Sequence, residues 1–299
     1  MTLSNRYPSL AGRTVFISGG TTGIGTAFVE QFHAQGARVG FVGRNADAAE
    51  ALLAHIAQGA HAAAAPAPLF TSCDVTDIEA LRAAIARTRG AFGPVSVLVN
   101  NAANDMRHRI EDTTPASWDA GIAVNLRHQF FAAQAVMPDM VAARAGSIVN
   151  LGSVSWMLKQ GGMPVYTTAK SAVQGLTRSL ARDLGRHGIR CNTVVPGWVM
   201  TERQLKLWWT PESQAEVAKS QCIAAPLQPW HIASMVLFLA ADDSAMCTAQ
   251  DFIVDAGCSA RSAPCSTKRG PRATGATTRP TPSSGMPASA SSFSIFGSL

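Results

Sequence analysis

Val15-Phe-Ile-Ser-Gly-Gly-Thr-Thr-Gly-Ile-Gly25 is a short apolar run that passes at once into a glycine-rich turn. The residues that follow, through Gln35, carry a helical pattern, and Gly36 stands where a glycine ends a helix. Strand, glycine turn and helix in that order form a backbone cradle. Glycine at 19, 23 and 25 permits a tight turn and lets backbone N–H groups at a helix N-terminus approach a pyrophosphate. Gly19, Thr22, Gly23, Ile24 and Gly25 are therefore candidate dinucleotide-binding residues. A glycine pattern alone is weak evidence; its place at the first strand–helix junction is what makes it specific.

Working outward, the same alternation repeats. Val39–Val42 reads as the second strand and Ala46–Gln58 as a helix. A strand near Leu69–Cys73 precedes a helix from Asp77, and the strand Val95–Asn100 precedes a long helical stretch around Trp118–Arg144. Ser147–Leu151 is a strand, the helix around Val165–His187 leads into Ile189–Val195, and Ile232–Ala240 leads into Phe252–Val254. Strands separated by helices of this length specify βαβ units: an α/β, doubly wound, mostly parallel seven-stranded sheet with helices on both faces. One domain over residues 1–258 is expected. From Ser259 to Leu299 the chain is rich in Ser, Thr, Pro, Gly and Ala without periodicity, a composition too poor in buried surface to order a segment, so 259–299 is expected to be a disordered basic tail.

Composition narrows the function classes. Of the 299 residues 47% are apolar and 15% charged, which supplies a large core, yet no apolar run is long enough to span a bilayer. The start, Met1-Thr-Leu-Ser-Asn-Arg-Tyr-Pro8, lacks an apolar segment after a basic one, so a secretory signal is not expected and the location expected is cytoplasmic. The net charge of +6 owes five units to Arg261, Lys268, Arg269, Arg272 and Arg279, all beyond the last acidic residue, Asp255. The body is nearly neutral, which argues against a nucleic-acid partner. Six cysteines without C-x-x-C spacing suit reduced thiols, and seven dispersed histidines give no reason to expect a metal site.

A carboxylate at the end of the second strand would accept from a ribose 2′-OH and favour NAD. Here the strand runs into Gly43-Arg44-Asn45. Arg44 suits a 2′-phosphate, so NADP is favoured, with NAD or dual use also compatible and a solvated loop arginine the alternative. The second constellation is Tyr166-x-x-x-Lys170. Four residues apart on a helix, the two side chains share a face. A free tyrosine titrates near 10, and an adjacent ammonium favours the phenolate, turning a poor base into a usable one. The preceding strand ends close to Ser153.

Taken together these residues resemble the short-chain dehydrogenase/reductase family over nearly the whole chain to about Gly257. The resemblance rests on the glycine motif, Asp74 after the third strand, Asn100-Asn-Ala-Ala103 after the fourth, Asn125, Ser153, Tyr166, Lys170 and Pro196-Gly197, with thirteen residues from Ser153 to Tyr166. Ala103 departs from the family, which usually has glycine there. The resemblance implies a single Rossmann-type domain and a tetramer. It also implies roles. Tyr166 is the acid/base, Ser153 hydrogen-bonds the reacting oxygen, Lys170 holds the nicotinamide ribose, and Asn125 positions a water, unless its amide is purely structural. Asp74 and Val75 flank the adenine, Asn101 the middle of the cofactor, and Val199 and Thr201 its carboxamide end.

A closer resemblance is to bacterial aldose 1-dehydrogenases acting on xylose, arabinose or galactose. It is carried by Tyr7-Pro-Ser-Leu10, Asn104-Asp-Met-Arg-His108, Asn125-Leu-Arg-His128, Ser153-Val-Ser-Trp156, Arg203-Gln204 and Asp255-Ala-Gly257. A sugar site needs polar groups for hydroxyls and an aromatic face for the ring, so Asn104, Trp156 and Gln204 are candidate substrate residues, against a turn role for Asn104 and a packing role for Trp156. The reaction implied is oxidation of an aldose at C1 to the lactone. Its rivals are a carbonyl reductase of non-sugar substrates and a non-catalytic dinucleotide sensor.

Overall fold

Alternating apolar residues along the strands build two cores at once. The computed structural model describes residues 5–208 and 210–260. Seven strands, β1 (Thr14–Ser18), β2 (Arg38–Gly43), β3 (Leu69–Ser72), β4 (Val95–Asn100), β5 (Gly146–Leu151), β6 (Ile189–Pro196) and β7 (Asp251–Val254), form one sheet in the order β3-β2-β1-β4-β5-β6-β7. Every pairing is parallel, not merely most of them. Nine helices cover it among the described residues: α1 (Ile24–Ala34), α2 (Ala46–Gln58), α3 (Ile78–Phe92), α4 (Pro115–Ile122), α5 (His128–Ala143), α6 (Pro164–Leu184), α7 (Glu202–Trp208), α8 (Pro211–Ser220) and α9 (Pro229–Ala240). Val15, Ile17, Val97, Val99 and Val149 face a core closed by α1, α2 and α9. Phe16, Leu98 and Ile148, one step along the same strands, face the core closed by α3, α5 and α6. The period of two in a sheet buried on both sides is what makes the strands read as continuous apolar runs.

The strand order reverses between β1 and β4, so the connections that leave their C-terminal ends diverge and open a crevice. Two local features differ from the sequence expectation. The long helix expected over Trp118–Arg144 is interrupted by a wide π turn at Ala123–Arg127, whose Asn125 amide donates to the Gly121 carbonyl at 2.9 Å. α7 and α8 lie in a segment to which the sequence reading gave no element; Thr210 caps α8 by accepting from the Ser213 N–H at 3.3 Å, with Pro211 at the first helical position. The domain expected over 1–258 and the tail expected over 259–299 meet where the description stops: residues 261–299, and so nearly all of that tail, lie outside the described residues. Among the described residues no helix is long and apolar enough to cross a membrane, and no group of three or more His, Cys, Asp or Glu side chains is placed to hold a metal ion.

Candidate active site

The glycine turn joins β1 to α1 at the floor of the crevice. Gly19 has φ +70°, and a Cβ there would lie 2.8 Å from Ala102 Cα, so the chain after β4 approaches as closely as a glycine allows. At Gly25 a Cβ would lie 1.9 Å from the Gly19 carbonyl oxygen. Thr22 is exposed on the turn, and Ile24 opens α1 and packs on the core. Thr201, after β6, faces the turn: a Cβ on Gly23 would lie 3.5 Å from its Cγ2. Val199 is buried beside it and bridges to Leu227.

Asn101 turns its side chain inward. Its Nδ2 donates to the carbonyls of Ser18 at 3.1 Å and Gly19 at 2.8 Å, while its N–H donates to Ser18 Oγ at 3.0 Å. Its visible contribution is to fix the glycine turn against β4. At the other end of the crevice Arg44 is exposed and lies 3.8 Å from Asp74. Asp74 Oδ1 accepts from the N–H and hydroxyl of Thr76 at 2.9 and 2.8 Å. The Thr76 backbone bond, helped by the Thr76 hydroxyl and by Arg44, holds the Asp74 carboxyl below its ordinary value. Val75 is buried in the second core.

Ser153, Tyr166 and Lys170 come together above β5. The Ser153 hydroxyl hydrogen-bonds Tyr166 and also accepts from the Ser155 N–H at 3.2 Å. Lys170 is 1% exposed, donates from Nζ to the Leu151 carbonyl at 2.7 Å, and lies 5.8 Å from the Tyr166 ring centroid. The ammonium expected from sequence to lower the phenol does not set its value in the protein alone. Burial, reinforced by Asp105 and opposed by Ser153, pushes Tyr166 up to about 12. Burial likewise pushes the Lys170 ammonium down to about 7. A lysine ammonium carries three N–H donors, so a buried one with a single carbonyl partner suits a ribose diol. This orphaned donor capacity and the glycine cradle both fit a nicotinamide dinucleotide.

Below these groups runs a buried polar chain. Asn100 Nδ2 donates to Asn150 Oδ1, and Asn150 Nδ2 to Thr177 Oγ1, both at 2.9 Å. These bonds tie the ends of β4 and β5 together at the start of the crevice, although Asn100 Oδ1 is buried with no partner among the described residues.

Asn125 is buried and its amide clamps the loop after β4. Its Oδ1 accepts from Asn104 N–H at 2.8 Å and its Nδ2 donates to the Asn104 carbonyl at 3.1 Å. The amide thereby grips the backbone of the loop after β4. The neighbouring Asp105 carboxylate meets Arg203 Nη1 at 2.9 Å and Gln204 Nε2 at 3.4 Å, and Gln204 Oε1 accepts from Trp198 Nε1 at 2.8 Å. Asn104 and Gln204 are thus brought together around Asp105. Trp156 lines a separate shallow groove with Gln160, Thr167 and Ser171.

Sequence reasoning assigned nothing to His128, although it quoted the residue. It is fully buried on α5, with Nε2 3.0 Å from the Ala102 carbonyl. Burial, with the Lys170 charge adding, pushes it down to about 3. Between that value and the unfolded one near 6.5 only the unfolded chain binds the proton, so stability is lost as pH falls below about 6.5. Wild type should lose about 2 kcal/mol more than His128→Gln between pH 7 and pH 5. Urea unfolding at the two pH values measures this, and equal losses in both proteins would contradict it.

A dinucleotide cradle at the sheet's switch point, facing a serine–tyrosine–lysine cluster, defines the class of nicotinamide-dependent oxidoreductases. The family profile described as Enoyl-(Acyl carrier protein) reductase matches residues 19–259. The chain belongs to the short-chain dehydrogenase/reductase family, whose members work with a nicotinamide dinucleotide. It is 43% identical over 251 residues to a D-xylose 1-dehydrogenase of Caulobacter vibrioides, covering 84% of this chain and 97% of that protein. It is 45% identical over 258 residues to a probable galactose dehydrogenase of Rhizobium meliloti, covering 86% and 99%. Among solved structures, a putative gluconate dehydrogenase from Agrobacterium tumefaciens superposes with a TM-score of 0.79 at 27% identity, covering 86% of this chain and 100% of that one.

Proposed function

We propose that the protein oxidises an aldose at its anomeric carbon to the lactone. The observation that carries this reading is the convergence of Ser153, Tyr166 and Lys170 beside a dinucleotide cradle, in a chain 43–45% identical to a xylose and a galactose dehydrogenase. The bound dinucleotide supplies the hydride acceptor. Tyr166 takes the C1 hydroxyl proton as that hydride departs, leaving a C1 carbonyl within the ring. Ser153 donates to the same oxygen and holds it against the phenol. Lys170, anchored at Leu151, offers its remaining N–H groups to the nicotinamide ribose, and its positive charge stabilises the phenolate once the site is closed from water. Asn101 and Gly25 hold the turn that would cradle the pyrophosphate, and Val199 and Thr201 would hold the carboxamide end. Nuclear magnetic resonance of a C1-labelled aldose tests the product: the lactone signal should appear before the free acid, and acid formed without a lactone precursor would count against the reading.

Arg44 favours NADP, with NAD as a second acceptor. A 2′-phosphate would draw the exposed guanidinium from Asp74, which holds it at only 3.8 Å. Arg44→Ala should weaken NADP binding about 10–100-fold and leave NAD within about twofold, since a charge-assisted bond contributes about 1.5–3 kcal/mol. Titration calorimetry with both dinucleotides decides; equal losses for the two would remove Arg44 from the 2′ site.

A further inference from the structure

We propose that Asp105 is a specificity-determining residue of this site, its carboxylate accepting hydrogen bonds from an aldose hydroxyl remote from C1. The inference rests on the aldose reading above. Two segments distant in sequence meet at this carboxylate, the loop after β4 with Asp105 and the first turn of α7 with Arg203 and Gln204, and Trp198, between β6 and α7, holds Gln204 in turn. Asn125 fixes the loop from beneath by gripping both backbone groups of Asn104, and His108 N–H ties its far side to the Gly162 carbonyl at 2.9 Å. Asp105 is therefore held from before and after in the chain and from across the crevice.

The charges of this loop reach Tyr166 in both directions, Asp105 opposing ionisation of the phenol and Arg107 favouring it. An ionised carboxylate has about four lone-pair positions. Arg203 and Gln204 each take one, through different oxygens, and the rest remain for hydroxyl donors. The side chain is 26% exposed, so solvent or substrate reaches it. Sugars differ from simple alcohols by the hydroxyls beyond C1, and a carboxylate oriented by a guanidinium and an amide distinguishes where such a hydroxyl points. The Arg203 guanidinium, 58% exposed, supplies donors to a neighbouring hydroxyl oxygen.

The test compares wild type and Asp105→Ala on the preferred aldose and on its monodeoxy analogues, following initial rates of dinucleotide reduction. The parent aldose should show kcat/KM about 10–100-fold lower in the variant, carried by KM, as for loss of one or two charge-assisted hydrogen bonds. One deoxy sugar, lacking the contacted hydroxyl, should be oxidised equally by both proteins within about twofold. Dinucleotide affinity, expected unchanged, reports that the variant is folded. Should Asp105→Ala not fold, Asp105→Asn carries the same comparison, filling the same volume with fewer acceptor positions. A loss of equal size for the parent and every deoxy sugar, or one confined to kcat, would overturn the assignment and leave Asp105 as a latch. A wild type inactive on every aldose overturns the aldose reading and the assignment together.

Discussion

Tyr166→Phe is expected to lower kcat by about 10²–10⁴-fold while leaving the fold and the dinucleotide affinity intact. The substitution removes one oxygen from a ring that is largely enclosed, so packing is kept. What disappears is the phenol oxygen that Ser153 hydrogen-bonds and that accepts a proton when ionised. In the protein alone the phenol sits at about 12, well above neutrality, because burial disfavours the phenolate. Activity near neutral pH therefore requires that the assembled complex lower this value. The rising limb of kcat against pH should consequently lie below the free-protein value of Tyr166 by several units. Stopped-flow measurement of the hydride step over pH 6–10 reads both quantities. A phenylalanine variant retaining more than a tenth of the wild-type rate would remove Tyr166 from the chemistry.

Gly25→Ala is expected to weaken dinucleotide binding by about 100-fold or more and to lower the melting temperature. The added Cβ would come within 1.9 Å of the Gly19 carbonyl oxygen, less than any non-bonded pair tolerates. That carbonyl cannot swing aside freely, since it accepts from Asn101 Nδ2 at 2.8 Å and the Cβ would also crowd the same Nδ2 at 2.9 Å. Relief requires opening the turn, which moves the backbone N–H groups at the start of α1 away from the pyrophosphate position. Fluorescence titration with the reduced dinucleotide checks this, and affinity within about threefold of wild type would mean that the turn is not the cradle argued here.

The fold was legible in the sequence because its five inner strands are buried on both faces, while the edge strands β3 and β7 are only half-buried. Each strand from Val15 to Val254 appears as an apolar run that a helical pattern separates from the next, and the seven runs coincide with the seven strands of the sheet. What escaped the reading depends on distant partners. Nothing near Asn125 announces a π turn; it exists because one amide grips Gly121 and Asn104 at once. Asp105 lies within the quoted stretch Asn104–His108, but its partner Arg203 is 98 residues away. α8 did carry a signal that went unused, Thr210-Pro211 with Ser213, the same capping pattern as Thr114-Pro115 with Ser117 at the start of α4. The candidate site was legible for a related reason. Ser153, Tyr166 and Lys170 are close in the chain, and a strand end and one helix bring them together. The direction of the Tyr166 shift was not legible, because burial, which outweighs the Ser153 hydrogen bond, is a property of the folded site.

The central claim, oxidation of an aldose at C1, is tested most directly by initial-rate absorbance at 340 nm. Aldoses of both pentose and hexose series are offered with NADP and, separately, with NAD. Reduction of the dinucleotide by one or a few aldoses, faster with NADP, is the expected result. Turnover of non-sugar alcohols or ketones with no aldose active, in a protein that binds the dinucleotide, would contradict it.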